Sequence, residues 1–242
     1  MIYIHDHSKH INASLPRLII WRGIMSTINK KYIEQDFLHH DFTAMHFEKC
    51  DFYKCNFSKS NLSDATFVDC NFIEPNDIEG CQFDYACMRD TSFKRCRMSM
   101  SSFIVANCLG IEFKSCDLKG TNFAKASFEN QISRQVYFCS AFITGCNLSY
   151  ANFSRVRLEK CDLFENRWSG ANLQGASLTG SDLSRSEFSK DAWEQFQMQN
   201  CNLAHTELDG LNIKRVKLDG VKICSWQQEQ LLDSLGIIVL PD

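Results

Sequence analysis

The sequence predicts an all-β solenoid in which the chain turns a corner every five residues. Three observations carry this: an apolar residue recurs at every fifth position, a small residue stands two places before it, and glycine gathers two places after it. A helix repeats every 3.6 residues and a strand every 2, so neither keeps a five-residue series on one face. A chain that bends at each fifth residue does.

The apolar series defines the centre of each unit. It starts at Phe37 and runs through Phe42, Phe47, Phe52, Phe57, Leu62 and Phe67 to Phe72. One residue then intervenes, and the count resumes at Ile78 and reaches Phe128 by way of Phe83, Phe93, Phe103, Phe113 and Phe123. Ser133 breaks it. The series returns at Phe138 and Ile143 and continues through Leu163, Trp168 and Leu203 to Ile223.

Residues two apart in an extended segment share a face, so the small residue points inward beside the centre. Cys50, Cys55, Cys70, Cys81, Cys96, Cys116, Cys146, Cys161 and Cys201 take this slot, nine of the thirteen cysteines. There Cys acts as a compact hydrophobe, and a metal or redox role is not expected. Cys87 and Cys139 fall outside both inward slots and are expected to be exposed thiols. Nine of the eleven glycines, Gly80 among them, lie two residues after a centre, where a corner needs backbone freedom. Asp or Asn often precedes the centre, as at Asp51, Asn56, Asn122 and Asp182, where a short polar side chain bonds local backbone.

Composition narrows function. Net charge is −3, without the concentrated basic face that nucleic-acid binding requires. The longest apolar stretch near the start, Leu18 to Trp21, is far short of the ~20 residues that span a bilayer. His5, Asp6, His7 and His10 stand where a secretory leader would be basic. No C-x-x-C occurs, which removes the main support for zinc ribbons and thioredoxin-like sites. A reduced, cytoplasmic protein is expected, with no membrane contact, no cofactor and no metal. The histidines cluster near one end without a partner motif, and no nucleophile–base pair or phosphate loop appears, so an enzyme is not expected.

The repeat resembles that of the pentapeptide-repeat family, whose unit is a small residue, Asp or Asn, then Leu or Phe, then two variable residues. That resemblance implies a right-handed quadrilateral β-helix with about four units per coil. Within the family the chain is similar to the Qnr quinolone-resistance proteins. The matching stretches include Glu79–Phe83, Tyr137–Phe142, Cys146–Phe153, Leu158–Trp168 and Trp226–Leu232. Similarity to that group implies binding to DNA gyrase and topoisomerase IV, protection of both from quinolones, and two loops projecting from one side of the rod.

Two interruptions of the repeat fall where such loops belong. Near 73–77, Pro75 cannot donate to a ladder and Asn76-Asp77 suits a turn, which makes Glu74, Pro75, Asn76 and Asp77 candidate contact residues. Within 130–142, Gln131, Ser133, Gln135 and Val136 break several slots together, which singles out Gln131, Ser133, Arg134, Gln135 and Tyr137.

The expected organisation is an N-terminal extension over 1–31, poorly ordered or dispensable, a rod over 32–224, and a C-terminal module over 225–242. In that module Ser225 and Gln228 read as a capping box, followed by an apolar stripe ending at Gly236 and a short strand from Ile237 to Leu240. Trp226, Leu231, Leu232, Leu235, Ile238 and Leu240 are the candidate contacts of a homodimer. An adaptor with another protein partner, or a mimic of DNA, is the alternative function. Nine coils at the ~4.8 Å strand spacing make a rod of about 45 Å, and duplex of that length carries on the order of 25 phosphates. From Met25 onward the net charge is −5, the overall −3 less the +2 of residues 1–24, so charge density does not imitate DNA.

Overall fold

A computed structural model of the chain describes residues 19–21, 24–233, 235–238 and 240. Its framework is a parallel ladder in which residues pair with others twenty positions on wherever no insertion intervenes. Ser26 pairs with His46, His46 with Thr66, and Lys31 with Asp51. Twenty residues are four five-residue units, so each coil holds four. Between the short strands the same register continues as single bridges, from Asp36 to Asn56 and from Asn107 to Ser127. Backbone bonds join successive coils, as from the Phe37 amide to the Asn56 carbonyl at 2.7 Å. The result is a β-helix with one short helix near its end.

Repetition at one register stacks like on like. Phe47, Phe67, Phe93 and Phe113 form one column, with ring centroids 4.9–5.1 Å apart and planes within 14° of parallel. Phe57, Phe83, Phe103, Phe123 and Phe153 form another, at 4.6–5.0 Å. The columns meet edge-to-face, as Phe103 meets Phe113, so the rings of these two columns have both aromatic geometries.

The inward slot needs more than small size. Cys50, Cys70, Cys96, Cys116, Cys146, Asn166, Ser186 and Thr206 follow one another along one column, all buried. Each reaches back to a carbonyl of the preceding coil: Cys96 to Phe67, Cys146 to Phe113, Ser186 to Leu163. Several also accept an inward-facing amide, as the Cys116 thiol does from Cys96 and Asn166 Oδ1 from Cys146 at 2.8 Å. Burial pushes the isolated Cys108 thiol, which occupies a centre, well above its ordinary range. Cys87 and Cys139 are half-buried, and so is Cys224.

Most corners are left-handed, whether or not glycine holds them. Lys49, Lys59, Asp64, Lys125 and Arg155 have φ between 52° and 61°, in the slot that Gly120, Gly145 and Gly175 also fill. The amide of the next small residue bonds back to the centre's carbonyl, as Ser60 does to Phe57 at 3.1 Å, closing a four-residue turn. Val105 is the costliest occupant: a β-branched residue at φ 59°. Val105→Gly is expected to stabilise the rod by about 1 kcal/mol, because relief of left-handed strain outweighs glycine's extra chain entropy. A lowered midpoint in urea would contradict this.

Several expectations are corrected. The parallel ladder starts at Ser26, ahead of the rod boundary expected at residue 32, and Ile19–Trp21 lies antiparallel on Ile24–Ile28. The rest of that extension, 1–18 and 22–23, lies outside the described residues. Ile78 is not a centre: it is 83% exposed. Thr66 pairs with Ser92, twenty-six residues on, so six residues leave the coil where one was expected. Gly80 therefore serves no left-handed corner. It is glycine because a Cβ would lie 2.6 Å from the backbone of Ser99 and of Ser101. Phe138 is not a centre either. Ile111 pairs with Ala141, thirty residues on, so ten residues leave the coil. Ten is two whole units, which lets the count resume in phase and disguises the length of the insertion.

At the C-terminal end a 3-10 turn, Ser225–Gln227, leads into helix α1, Gln228–Asp233. The cap pairs Cys224 with Gln227, one residue earlier than Ser225 and Gln228. Gln227 is fully buried. Its Nε2 donates to the Leu203 and Thr206 carbonyls at 2.8 and 2.6 Å, and its Oε1 accepts from the Cys224 and His205 amides. Gln230 accepts from the Leu208 amide at 2.9 Å. These side chains replace the next coil and close the ladder edge that would otherwise invite pairing. Gln227→Leu, similar in size, is expected to cost roughly 3 kcal/mol by orphaning buried carbonyls and amides. An unchanged denaturation midpoint would refute this role. No strand is assigned to 237, 238 or 240, and Val239 lies outside the described residues.

Candidate partner-binding projections

The first projection is a tight turn. The Asp77 amide bonds to the Glu74 carbonyl at 3.1 Å, with Pro75 in the second place of the turn and Asn76 at φ 67° in the third. Proline suits the second place of a type II turn and asparagine tolerates the positive φ of the third. Asp77 then fixes the exit. Its Oδ1 accepts from the Ile78 amide at 2.7 Å, and its Oδ2 pairs with Lys54 at 3.2 Å. The Ile78 amide, with Lys54 beside it, holds this carboxyl below its ordinary range. Glu74, Pro75 and Asn76 are exposed, while Asp77 is half-buried and already engaged.

The second projection is a β-hairpin. Glu129–Gln131 pairs antiparallel with Tyr137–Cys139, and the Ile132 amide reaches the Val136 carbonyl at 2.8 Å to close the tip. The Ser133 hydroxyl accepts from the Val136 amide at 3.2 Å, and the Gln131 side chain donates to the Ser133 carbonyl. Gln131, Ser133, Arg134 and Gln135 are exposed there, with Ile132 and Val136 between them. The tip is thus apolar as well as basic. Phe138 on its second strand, and Phe142 on the rod strand that follows, extend the apolar surface, each nearly half exposed.

Tyr137 is placed differently from the other candidates. It is half-buried at the tip end of the second strand, opposite Gln131, where its hydroxyl donates to Glu159 Oε2 at 2.8 Å and its ring lies 4.4 Å below the Arg157 guanidinium. Arg157 also bonds Glu129 at 2.7 Å, so both hairpin strands are tied to the next coil. The neighbouring Glu159 carboxylate raises the Tyr137 phenol above its ordinary range. Glu129, Arg157 and Glu159 were not singled out from the sequence. Their contacts cross 22 to 28 residues, which a five-residue count does not register.

Among the C-terminal candidates, Trp226 is exposed, and Leu231, Leu232 and Leu235 are half-buried. Ile238 and Leu240 are 83% and 78% exposed. The two projections and this apolar end each expose apolar side chains that the rod does not bury.

Comparison with known proteins agrees with this architecture. The family model for pentapeptide repeats matches residues 41–72, 134–164 and 167–190. A pentapeptide repeat protein of Vibrio parahaemolyticus, VPA0095, is 58% identical over 143 residues, 59% of this chain and 66% of that protein. The pentapeptide repeat protein QnrB4 of Escherichia coli is 52% identical over 95 residues, 39% of this chain and 44% of its own. The matches thus span less than two thirds of these curated relatives. The structure of full-length QnrB1, described as a plasmid-mediated fluoroquinolone resistance protein, superposes with a TM-score of 0.84 at 42% identity, over 88% of this chain and 100% of that one. A chain that matches the whole of QnrB1 at this identity, and carries the repeat that the family model finds, belongs to the pentapeptide-repeat family, within which it is similar to proteins named Qnr.

Proposed function

We propose that this protein binds the bacterial type II topoisomerases DNA gyrase and topoisomerase IV and protects them from quinolones, with the projections of a right-handed, four-sided rod making the contact. The observation that carries the reading is the hairpin. It exposes Ile132, Val136 and Phe138 around Arg134, while Arg157 and Glu159 brace its two strands. Exposed apolar groups on a braced projection suit a protein partner, because little order is lost on binding. The relatives named for quinolone resistance support a partner that quinolones target. No catalytic step is assigned: the protein acts as a binding partner in the cytoplasm, without contacting nucleic acid itself.

Mimicry of DNA by charge is disfavoured. Imitation of a duplex needs an unbroken acidic surface, whereas Arg95 pairs with Asp69, Arg167 with Glu187 and Arg185 with Glu165. The exposed apolar end at Trp226, Ile238 and Leu240 supports a homodimer through 225–242. The deciding experiment is DNA supercoiling by gyrase in the presence of ciprofloxacin. Added protein is expected to restore supercoiling, and failure to restore it at any ratio would remove the topoisomerase assignment.

A further inference from the structure

The two projections leave the rod on opposite sides, contrary to the single side implied by family resemblance. Around one coil, Asn56, Asn61, Thr66 and Asn71 head four successive columns. The 73–79 turn interrupts the step from Asn71 to Gln82, which stacks on Asn56. The hairpin interrupts the step from Ser127, in the column of Asn61, to Phe142, in that of Thr66. Of the four steps in a coil these two are opposite. Ten units, Phe83 to Phe128, lie between them, which is two and a half coils of four units, or about 12 Å along the axis.

The two sides also differ in charge. The turn carries three carboxylates, Glu74, Asp77 and Glu79, around the exposed Ile78, with the single cation Lys54 paired to Asp77. In the hairpin Glu129 is taken by Arg157, which leaves Arg134 as the uncompensated charge. A shallow groove of about 250 Å³ at the hairpin base has three cations in its lining, Lys125, Arg155 and Arg157, against one carboxylate, Glu129. Neither Lys125 nor Arg155 has a carboxylate within 4 Å among the described residues.

On the topoisomerase reading above, we infer that the partner grips the rod from both sides with two unlike surfaces. One is an apolar recess with an acidic rim, for the hairpin. The other is a basic-rimmed apolar surface, for the turn and Ile78. A flat docking face reaches only one projection, because the rigid rod stands between them. The rod therefore sits in a cleft, or between two bodies of the partner, and complementary charge fixes which way it faces.

The test places the photo-cross-linker benzoylphenylalanine at position 78 or position 132 of the full chain, mixed with reconstituted DNA gyrase. Both positions are expected to cross-link, to gyrase peptides that do not overlap. The pair Glu74→Lys with Glu79→Lys, and separately Arg134→Glu, are each expected to weaken binding roughly tenfold, and to multiply when combined, since the sites are far apart and independent. Cross-linking from 132 with none from 78, or from both to the same peptides, would overturn two-sided binding while leaving the topoisomerase reading intact. Failure of the unsubstituted chain to retain gyrase in a pull-down run alongside overturns that reading, and this inference with it.

Discussion

Phe113→Ala is expected to cost about 4 kcal/mol, a large fraction of the stability of an ordinary domain. Phe113 is fully buried, its ring stacked 5.1 Å from Phe93 and edge-on to Phe103 and Phe123 at 5.9 and 6.0 Å. The truncation opens a cavity that backbone movement cannot close, because each coil is held by hydrogen bonds to the coils before and after it. A solenoid's stability rests on contacts between neighbouring units, so a fault in the middle weakens two interfaces at once. Urea unfolding followed by far-UV circular dichroism measures the loss. A change below about 1 kcal/mol would contradict the stacked-column account of the core.

Removing the hairpin tip is expected to have the reverse profile, with activity lost and stability kept. Gln131 to Val136 touch no part of the buried core, and replacing them with a short glycine linker is expected to leave the melting temperature within about 2 °C, since surface changes seldom exceed ~0.5 kcal/mol. Protection of gyrase from ciprofloxacin is expected to disappear. Tyr137 belongs outside the deletion: its bond to Glu159 and its place beneath Arg157 make it part of the brace. A variant that stays folded and still restores supercoiling would show that the rod surface, not the hairpin, makes the contact that matters.

The division between what sequence alone determined and what tertiary structure decided follows from the range of the interactions. The fold class, the buried centres, the inward cysteines and most corner glycines were legible in the sequence because each answers a demand that recurs every five residues. Phe57, Cys96 and Gly145 could be placed without knowing which residues lie above them. The two interruptions were legible as failures of that demand: Pro75 and Asn76 at the first, Gln131, Gln135 and Val136 at the second.

Tertiary structure decided whatever depends on the size of the coil. A period of five does not say that four units make a turn, so it did not reveal that the projections stand half a turn apart. Nor did it expose a ten-residue insertion that preserves the phase, which is why Phe138 reads as a core residue and proves to be solvent-facing. The hairpin brace of Glu129, Arg157 and Glu159, and the closure of the last coil by Gln227 and Gln230, join residues 21 to 28 positions apart. Such contacts form only because a coil of twenty residues returns the chain beside itself.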